Sequence, residues 1–352
     1  MLAATPLRVS TEVAAVVLNW NGWQDTLACL DSLVRSKHVP SHIVVCDNGS
    51  IDGSLTRLRQ WAAENDLAYD DFSSPEEALS FDRLSHAPAP LTFIANGENR
   101  GFAAGTNVGV RYAIGRTDCE YVWILNNDVV VSPTALERML QTARRDPRVA
   151  MVGSALLRYD DPGTVQALGG GYILPVICHD TQLANGRAHD DVATESIAVD
   201  HLIGASLLVR ARAVLDVGLM DESYFLYREE TDWCIAMRRR GWKLLCRADA
   251  PVWHKQARSI GFKSPMHDYY AVRNVLKLVR KFYPAYVPTA FGYYALRSLA
   301  PKLLRFEFAR MNAVVRALAD FLRGVDGRSC DHTDAALMHE YVTAEVLDVV
   351  RH

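Results

Sequence analysis

The feature that most narrows the fold is a short apolar run that stops at a cluster of Asn and Asp. It occurs three times. Residues 13–18 (VAAVVL) run into NWNG at 19–22, residues 42–46 (HIVVC) into DNGS at 47–50, and residues 121–125 (YVWIL) into NND at 126–128. Runs of this length, rich in β-branched residues and closed by turn formers, read as buried strands. Between them, residues 25–34 place Leu27, Leu30, Leu33 and Val34 at helical spacing, and a second helix is expected at about 53–65. Strand and helix in alternation predict an α/β fold, a mainly parallel sheet with helices on both faces. Ligands of such sheets bind beyond the carboxyl ends of the strands. Three polar clusters at one such edge make a site.

Further along, residues 70–90 are polar and contain proline, which predicts a loop. Residues 91–95 form a strand ahead of NRGFAAG at 99–105. A helix is expected over 132–145, with Ser132 as N-cap and Pro133 as its first residue. Residues 158–200 read as a loop-rich insertion with short strands, and 202–209 as a buried run. The segment DESYFLYREETDW at 221–233 then leads into a basic helix. From Asp268 onward the pattern is helical. Val272, Val275, Leu276 and Val279 make one apolar stripe. Leu304, Phe308, Met311, Val315, Leu318 and Leu322 make another, and both stripes have basic polar faces.

With 49% hydrophobic and 22% charged residues over 352 positions, the chain can bury a sizeable core and is not disordered. The net charge of −3 is unevenly spread. From Lys255 to Arg323, thirteen basic residues stand against three acidic ones. A basic stretch on an otherwise acidic chain points to an anionic partner or to a solvated helical face. No nucleic-acid-binding module accompanies the charge, so nucleic acid is not expected. The seven cysteines are widely spaced, without a CxxC, and fit reduced thiols better than a disulfide frame or a zinc site. Neither a secretory leader nor a membrane span is expected. No GxGxxG follows the first strand, which argues against a nicotinamide enzyme.

The segments VVLNWNGWQDTLACLDSL, VVCDNGSIDGS, NRGFAAGTNVGV, WILNNDVVV, GASLLVRARAVLDVGLMDESYFLYREETDWC and APVWH, in that order, resemble the family 2 glycosyltransferases. The likeness is to the rhamnosyltransferase-like branch that builds bacterial surface glycans. It covers about residues 13–254 and extends less specifically to YYAVRNVLKLVRK. It implies a GT-A catalytic domain over 1–262 and a C-terminal helical region over 263–352. It also implies inverting transfer of one sugar from a nucleotide-diphosphate donor to a hydroxyl. Processive synthases of this superfamily carry a Gln-x-x-Arg-Trp motif, which is absent here.

By that resemblance, Asp128 is a ligand of a divalent cation, Mg²⁺ or Mn²⁺, although the family's Asp-x-Asp is here Asn126-Asn127-Asp128. Such a cation neutralises the leaving diphosphate. His254, in APVWH, is implied as a second metal ligand or a diphosphate contact. Inversion needs a base for the acceptor hydroxyl. Glu230 aligns with the base position and Glu229 with its neighbour; acids at a helix N-terminus also suit the helix dipole, and the choice between the two stays open. Asp47 is expected to read the base or ribose of the donor, with Asn19 and Asn21 alongside. Arg100, Gly101 and Asn127 complete the donor side.

The donor is expected to be dTDP-rhamnose, with UDP-hexoses next, and the acceptor a glycan or polyprenyl-linked sugar. A cytoplasmic chain is expected, with the basic C-terminal helices resting on the inner face of the membrane, capping the catalytic domain, or joining two copies as a homo-oligomer. Two alternatives stay open: a catalytically silent nucleotide-sugar-binding subunit, and a nucleotidyltransferase. The second lacks its Gly-rich basic loop after strand one.

Overall fold

The computed structural model describes residues 8–81, 87–192, 196–255 and 264–329. The chain divides into two compact units. The first comprises Met1–Leu174, His179–Asp221 and Glu229–Gln256; the second comprises Pro175–Cys178, Glu222–Arg228 and Ala257–His352. The expected domain boundary at 262/263 lies outside the described residues, as does Cys330.

In the first unit, β1 (Arg8–Asn19), α1 (Trp23–Val34), β2 (His38–Asp47) and α2 (Ser54–Glu64) alternate as the apolar runs predict. They are followed by β3 (Tyr69–Phe72), α3 (Pro75–Ser80), β4 (Leu91–Ala95), α4 (Gly101–Arg116), β5 (Tyr121–Asn126), β6 (Val129–Val131) and α5 (Ala135–Arg145). Next come β7 (Val149–Arg158), β8 (Val165–Leu168) and the two-residue strands β9 (Gly170–Gly171), β10 (Ile173–Leu174) and β11 (His179–Asp180). The unit closes with β12 (Ser196–Ala198), β13 (His201–Leu202), β14 (Ser206–Arg210), α6 (Ala211–Val217), α7 (Glu229–Arg239) and β15 (Lys243–His254).

The main sheet runs β12-β15-β7-β14-β5-β1-β2-β4-β3, with β6 on β15 and β8 on β7. The pairs β5–β1, β1–β2, β2–β4, β4–β3 and β15–β7 are parallel; β14 is antiparallel to both its neighbours. The sheet is therefore mixed and mostly parallel. Its central strands are buried on both faces, which is why they read as unbroken apolar runs. Ala14 and Val16 pack into one core with Val110 of α4 and Met237 of α7, whereas Val13, Ala15 and Val17 pack into the other with Leu30, Leu58 and Met139 of α1, α2 and α5. Helix α4 lies close on its face because Gly109 has no side chain. A Cβ there would sit 2.5 Å from Val16 and 2.9 Å from the Cys46 sulfur.

Three expectations are corrected. The stretch 70–90 is not simply a loop: it holds β3 and α3. Ser74 accepts from the Glu77 amide at 3.2 Å, Pro75 opens the helix, and Glu77 reaches back to the Ser73 amide at 2.7 Å. Those local caps form a helix where no apolar run announces one. Helix α5 starts at Ala135 with Thr134 as N-cap, not at Ser132; the Ala135 amide bonds the Ser132 carbonyl in a preceding turn, and no side chain caps the helix.

The second unit contains α8 (Pro265–Phe282), α9 (Val287–Leu304) and α10 (Phe308–Arg323). Ser264 caps α8 by accepting from the His267 amide at 3.1 Å, and Gly324, in the left-handed conformation, ends α10. The stripe Val272, Val275, Leu276 and Val279 is buried as expected. The stripe from Leu304 to Leu322 is the third correction. A turn separates Leu304 from α10, which resets the helical phase. α10 buries Ala313, Val314, Ala317, Leu318 and Phe321, and exposes Phe308, Val315 and Leu322. The basic faces are also less solvated than expected. Arg273 is buried against the rings of Tyr269 and Tyr270; Lys277 bonds Ser223 and Asp326 at 2.6 Å each; Lys302 pairs with Asp268 at 3.2 Å.

Candidate functional site

The site is built where β1, β2 and β5 end side by side. Register places Asn19 opposite Asp47 and Leu18 opposite Asn126. Asn19 is fully buried, and its amide donates to Asp47 Oδ1 at 2.7 Å and to Ser50 Oγ at 3.1 Å. Its carbonyl oxygen accepts from Thr26 Oγ1 at 2.6 Å. Asn127 donates to the same Thr26 hydroxyl at 3.1 Å and to the Gly22 carbonyl at 3.3 Å. The other Asp47 oxygen accepts from the Ser50 amide at 3.0 Å. Asn21 takes a left-handed backbone, φ 47°, and joins the two loops: its amide donates to Ser50 Oγ at 2.9 Å, and its side-chain oxygen accepts from the Ile51 amide at 2.8 Å. Leaving a buried amide without a partner is costly, so this lattice holds its members in fixed orientations.

Arg100 precedes α4 at the rim of the same edge. Its backbone amide donates to Asn48 Oδ1 at 3.3 Å, while its side-chain Nε is buried without a hydrogen-bond partner. Gly101 follows with φ 81°, a conformation L side chains rarely adopt, and its amide donates to Asn99 at 2.9 Å.

Asp128 and His254 are far apart in sequence, and one strand pairing brings them together. β6 runs antiparallel to β15 with Val129 opposite His254. Asp128 Oδ1 then lies 3.3 Å from His254 Nε2, and the Asp128 carbonyl accepts from the Lys255 amide at 3.0 Å. The other imidazole nitrogen, Nδ1, lies 2.9 Å from Gln166 Oε1. An amide oxygen accepts only, so Nδ1 carries the hydrogen. Nε2 then faces the Asp128 carboxylate, and a proton or a cation between the two makes that contact favourable. Among the described residues, no three His, Cys, Asp or Glu side chains gather as a metal cluster.

The acidic pair opens α7. Tyr227 and Arg228, immediately before it, both have positive φ, 66° and 78°. Glu229 is buried, and Glu230 is partly exposed. Gly204, in the turn before β14, lies against the ring of Phe102 and the Cβ of Glu230: a Cβ built on it would lie 3.3 Å from the former and 3.8 Å from the latter. The acidic pair thus shares a neighbourhood with the residue that follows Gly101.

Sequence reasoning did not single out Thr26, Ser50 or Gln166. Thr26 lies one helical turn beyond Gly22 and accepts or donates to both Asn19 and Asn127, a signal visible once NWNG is treated as a helix start. Gln166 has no local signal, because only the β7–β8 hairpin carries it to His254. The six described cysteines are free, and burial pushes the thiols of Cys29, Cys46 and Cys234 up to about 12. They are packing residues, not nucleophiles.

The mixed, mostly parallel sheet flanked by helices is a GT-A fold, the fold of its glycosyltransferase structural neighbours. Residues 14–169 match the family model Glycosyl transferase family 2. The chain is 22% identical over 274 residues to the low-salt glycan biosynthesis hexosyltransferase Agl10 of Haloferax volcanii, covering 75% of this chain and 74% of that protein. It is 27% identical over 219 residues to the N-acetylglucosaminyl-diphospho-decaprenol L-rhamnosyltransferase of Mycobacterium tuberculosis, covering 55% of this chain and 71% of that protein. Its fold is also that of GalNAc-T7, solved with UDP, GalNAc and Mn²⁺: TM-score 0.57 at 12% identity, over 89% of this chain and 56% of that one.

Proposed function

We propose that the chain transfers one sugar, with inversion, from a nucleotide-diphosphate donor to a hydroxyl of a glycan or polyprenyl-linked acceptor. The observation that carries this reading is the placement of Asp128 against His254, beside the Asn19–Asp47–Asn127 lattice at one sheet edge. The lattice supplies a preorganised seat for base and ribose, with Asn21 fixing the loop above it. Arg100 and the backbone at Gly101 face the donor from α4. Asp128 and His254 suit a divalent cation whose remaining ligands come from the diphosphate and water, the manner in which Mg²⁺ and Mn²⁺ are commonly held. Bound there, the cation would neutralise charge on the departing diphosphate.

Glu230 takes the proton of the attacking hydroxyl, because it is the more accessible of the pair. Glu229 is buried. The helix dipole at the N-terminus of α7 favours the ionised carboxylate a base requires. The donor is dTDP-rhamnose first and a UDP-hexose next; the mycobacterial relative, named as a rhamnosyltransferase onto a decaprenol-linked sugar, supports that order.

The test is a donor screen by calorimetry with dTDP- and UDP-sugars, each with and without Mn²⁺. One donor should bind with a metal-dependent increment, and Asp128→Asn or His254→Ala should each reduce that increment at least about tenfold. A donor that binds equally with and without metal would remove the cation from the reading. Binding without any turnover in the presence of acceptor would favour the silent-subunit alternative.

A further inference from the structure

The helical unit presents one face that no described residue covers. Helix α9 has 18 residues and only two charges, Arg297 and Lys302, and Lys302 turns inward to Asp268. Only Ala290, Tyr294 and Lys302 are buried. A helix this apolar all round is ordinarily enclosed by protein or lipid. Here Leu296 is 72% exposed and Leu304 80%, and the exposed run continues beyond the helix through Phe306 at 75% and Phe308. Thr289, Gly292, Leu296 and Leu303 recur at intervals of three, four and seven, which puts them on one exposed face. Tyr286, Tyr293 and Arg297 flank that face.

Five large apolar side chains exposed within thirteen residues, Leu296, Leu303, Leu304, Phe306 and Phe308, mark a binding surface. Its rim decides for what. Arg297 and Arg305 are exposed, and among the described residues neither has a carboxylate partner. Residues 264–329 carry eleven Lys and Arg against four Asp and Glu. Cations and tyrosines around an apolar stripe match anionic headgroups lying over hydrocarbon. Among the described residues no helix is long and apolar enough to cross a membrane, so the face lies on a bilayer and does not span it.

We propose that the exposed face of α9, continued through residues 303–308, is a membrane-docking surface that inserts into an anionic leaflet. The contact goes beyond the transferase reading and rests on the helical unit alone. It replaces the expected basic helical faces, part of whose charge is turned inward, with an apolar face rimmed by arginine.

The experiment is flotation of the full chain with vesicles of phosphatidylcholine alone or mixed with phosphatidylglycerol. The wild type should float with the mixed vesicles and several-fold less with the neutral ones. Leu303→Ser, Leu304→Ser and Phe306→Ser combined should lower partitioning at least about tenfold with an unchanged Tm, since all three side chains are exposed. Arg297→Gln with Arg305→Gln should lower it by about fivefold per cation at low salt, a difference that closes at high salt. Failure of the wild type to float with either vesicle overturns the proposal, as does flotation of the triple variant at the wild-type level. A dimer that the triple variant dissociates, with no vesicle binding, assigns the face to a second copy and also overturns it. None of these outcomes bears on donor binding, which calorimetry reads separately.

Discussion

Two regions bury polar groups by opposite means. At the sheet edge, Asn19, Asp47, Thr26 and Asn127 satisfy one another and nearby backbone, with a single formal charge among them. In the helical unit, half of the buried polar groups are cations. Arg273 lies against two tyrosine rings, and Lys302 and Arg310 converge on Asp268. The first arrangement orients side chains at open strand ends; the second closes inward on itself. Burial of polar atoms thus accompanies an open strand edge in one place and internal scaffolding in the other, and the location of the open end tells them apart.

The comparison is sharpest at Glu230. Glu230→Gln should lower kcat by about 10²- to 10⁴-fold while leaving donor affinity and Tm near wild type, measured by product formation, calorimetry and scanning calorimetry. Wild-type turnover in that variant would take the base role away from Glu230. Asp268→Asn should do the reverse. Breaking a mostly buried ion-pair set costs about 3 kcal/mol of stability, read by urea unfolding, with kcat of the folded protein unchanged. A loss of turnover without loss of stability would erase the distinction between the two regions.

The same carboxylate predicts an acid limit. Burial would raise the Asp268 pKa, but hydrogen bonds from His267 and Arg310 and the Lys302 charge outweigh it and hold it at about 2, against 3.8 ordinarily. A depressed folded pKa contributes stability that is present above the unfolded value and lost as pH falls through the folded one. About 2 kcal/mol should therefore disappear between pH 4 and pH 2 by this group, and Asp268→Asn should flatten that part of the profile. The smallest effect is expected for Thr26→Val. It removes one hydroxyl from the lattice, so stability should fall by about 1–2 kcal/mol while donor affinity falls alongside. A stability loss with donor affinity intact would make the lattice scaffolding too.

Much of this was legible in the residues. β4 runs from Leu91 to Ala95, as its apolar run predicts, and β1, β2 and β5 extend their predicted runs, because a doubly buried strand leaves an uninterrupted apolar signature. The clusters at their ends were legible for the same reason. α3 was not, since its formation rests on caps around Ser74 and Glu77, not on periodicity. The stripe across Leu304 and Phe308 misled because periodicity carries no record of the turn that resets it. The pairing of His254 with Gln166 was invisible because it depends on a hairpin between them in space, not on any local pattern.

The antiparallel register of β6 on β15 has a consequence for the order of assembly. β1 to β5 can pair once the chain reaches Asn126, but Asp128 acquires His254 only once the last strand of the unit has docked. Contacts between such distant segments form late, because closing a long loop is an entropic cost met before the contact rewards it. A nascent chain would thus hold the Asn19–Asp47 edge well before it holds the Asp128–His254 pair. That timing keeps a half-made protein from presenting a finished centre.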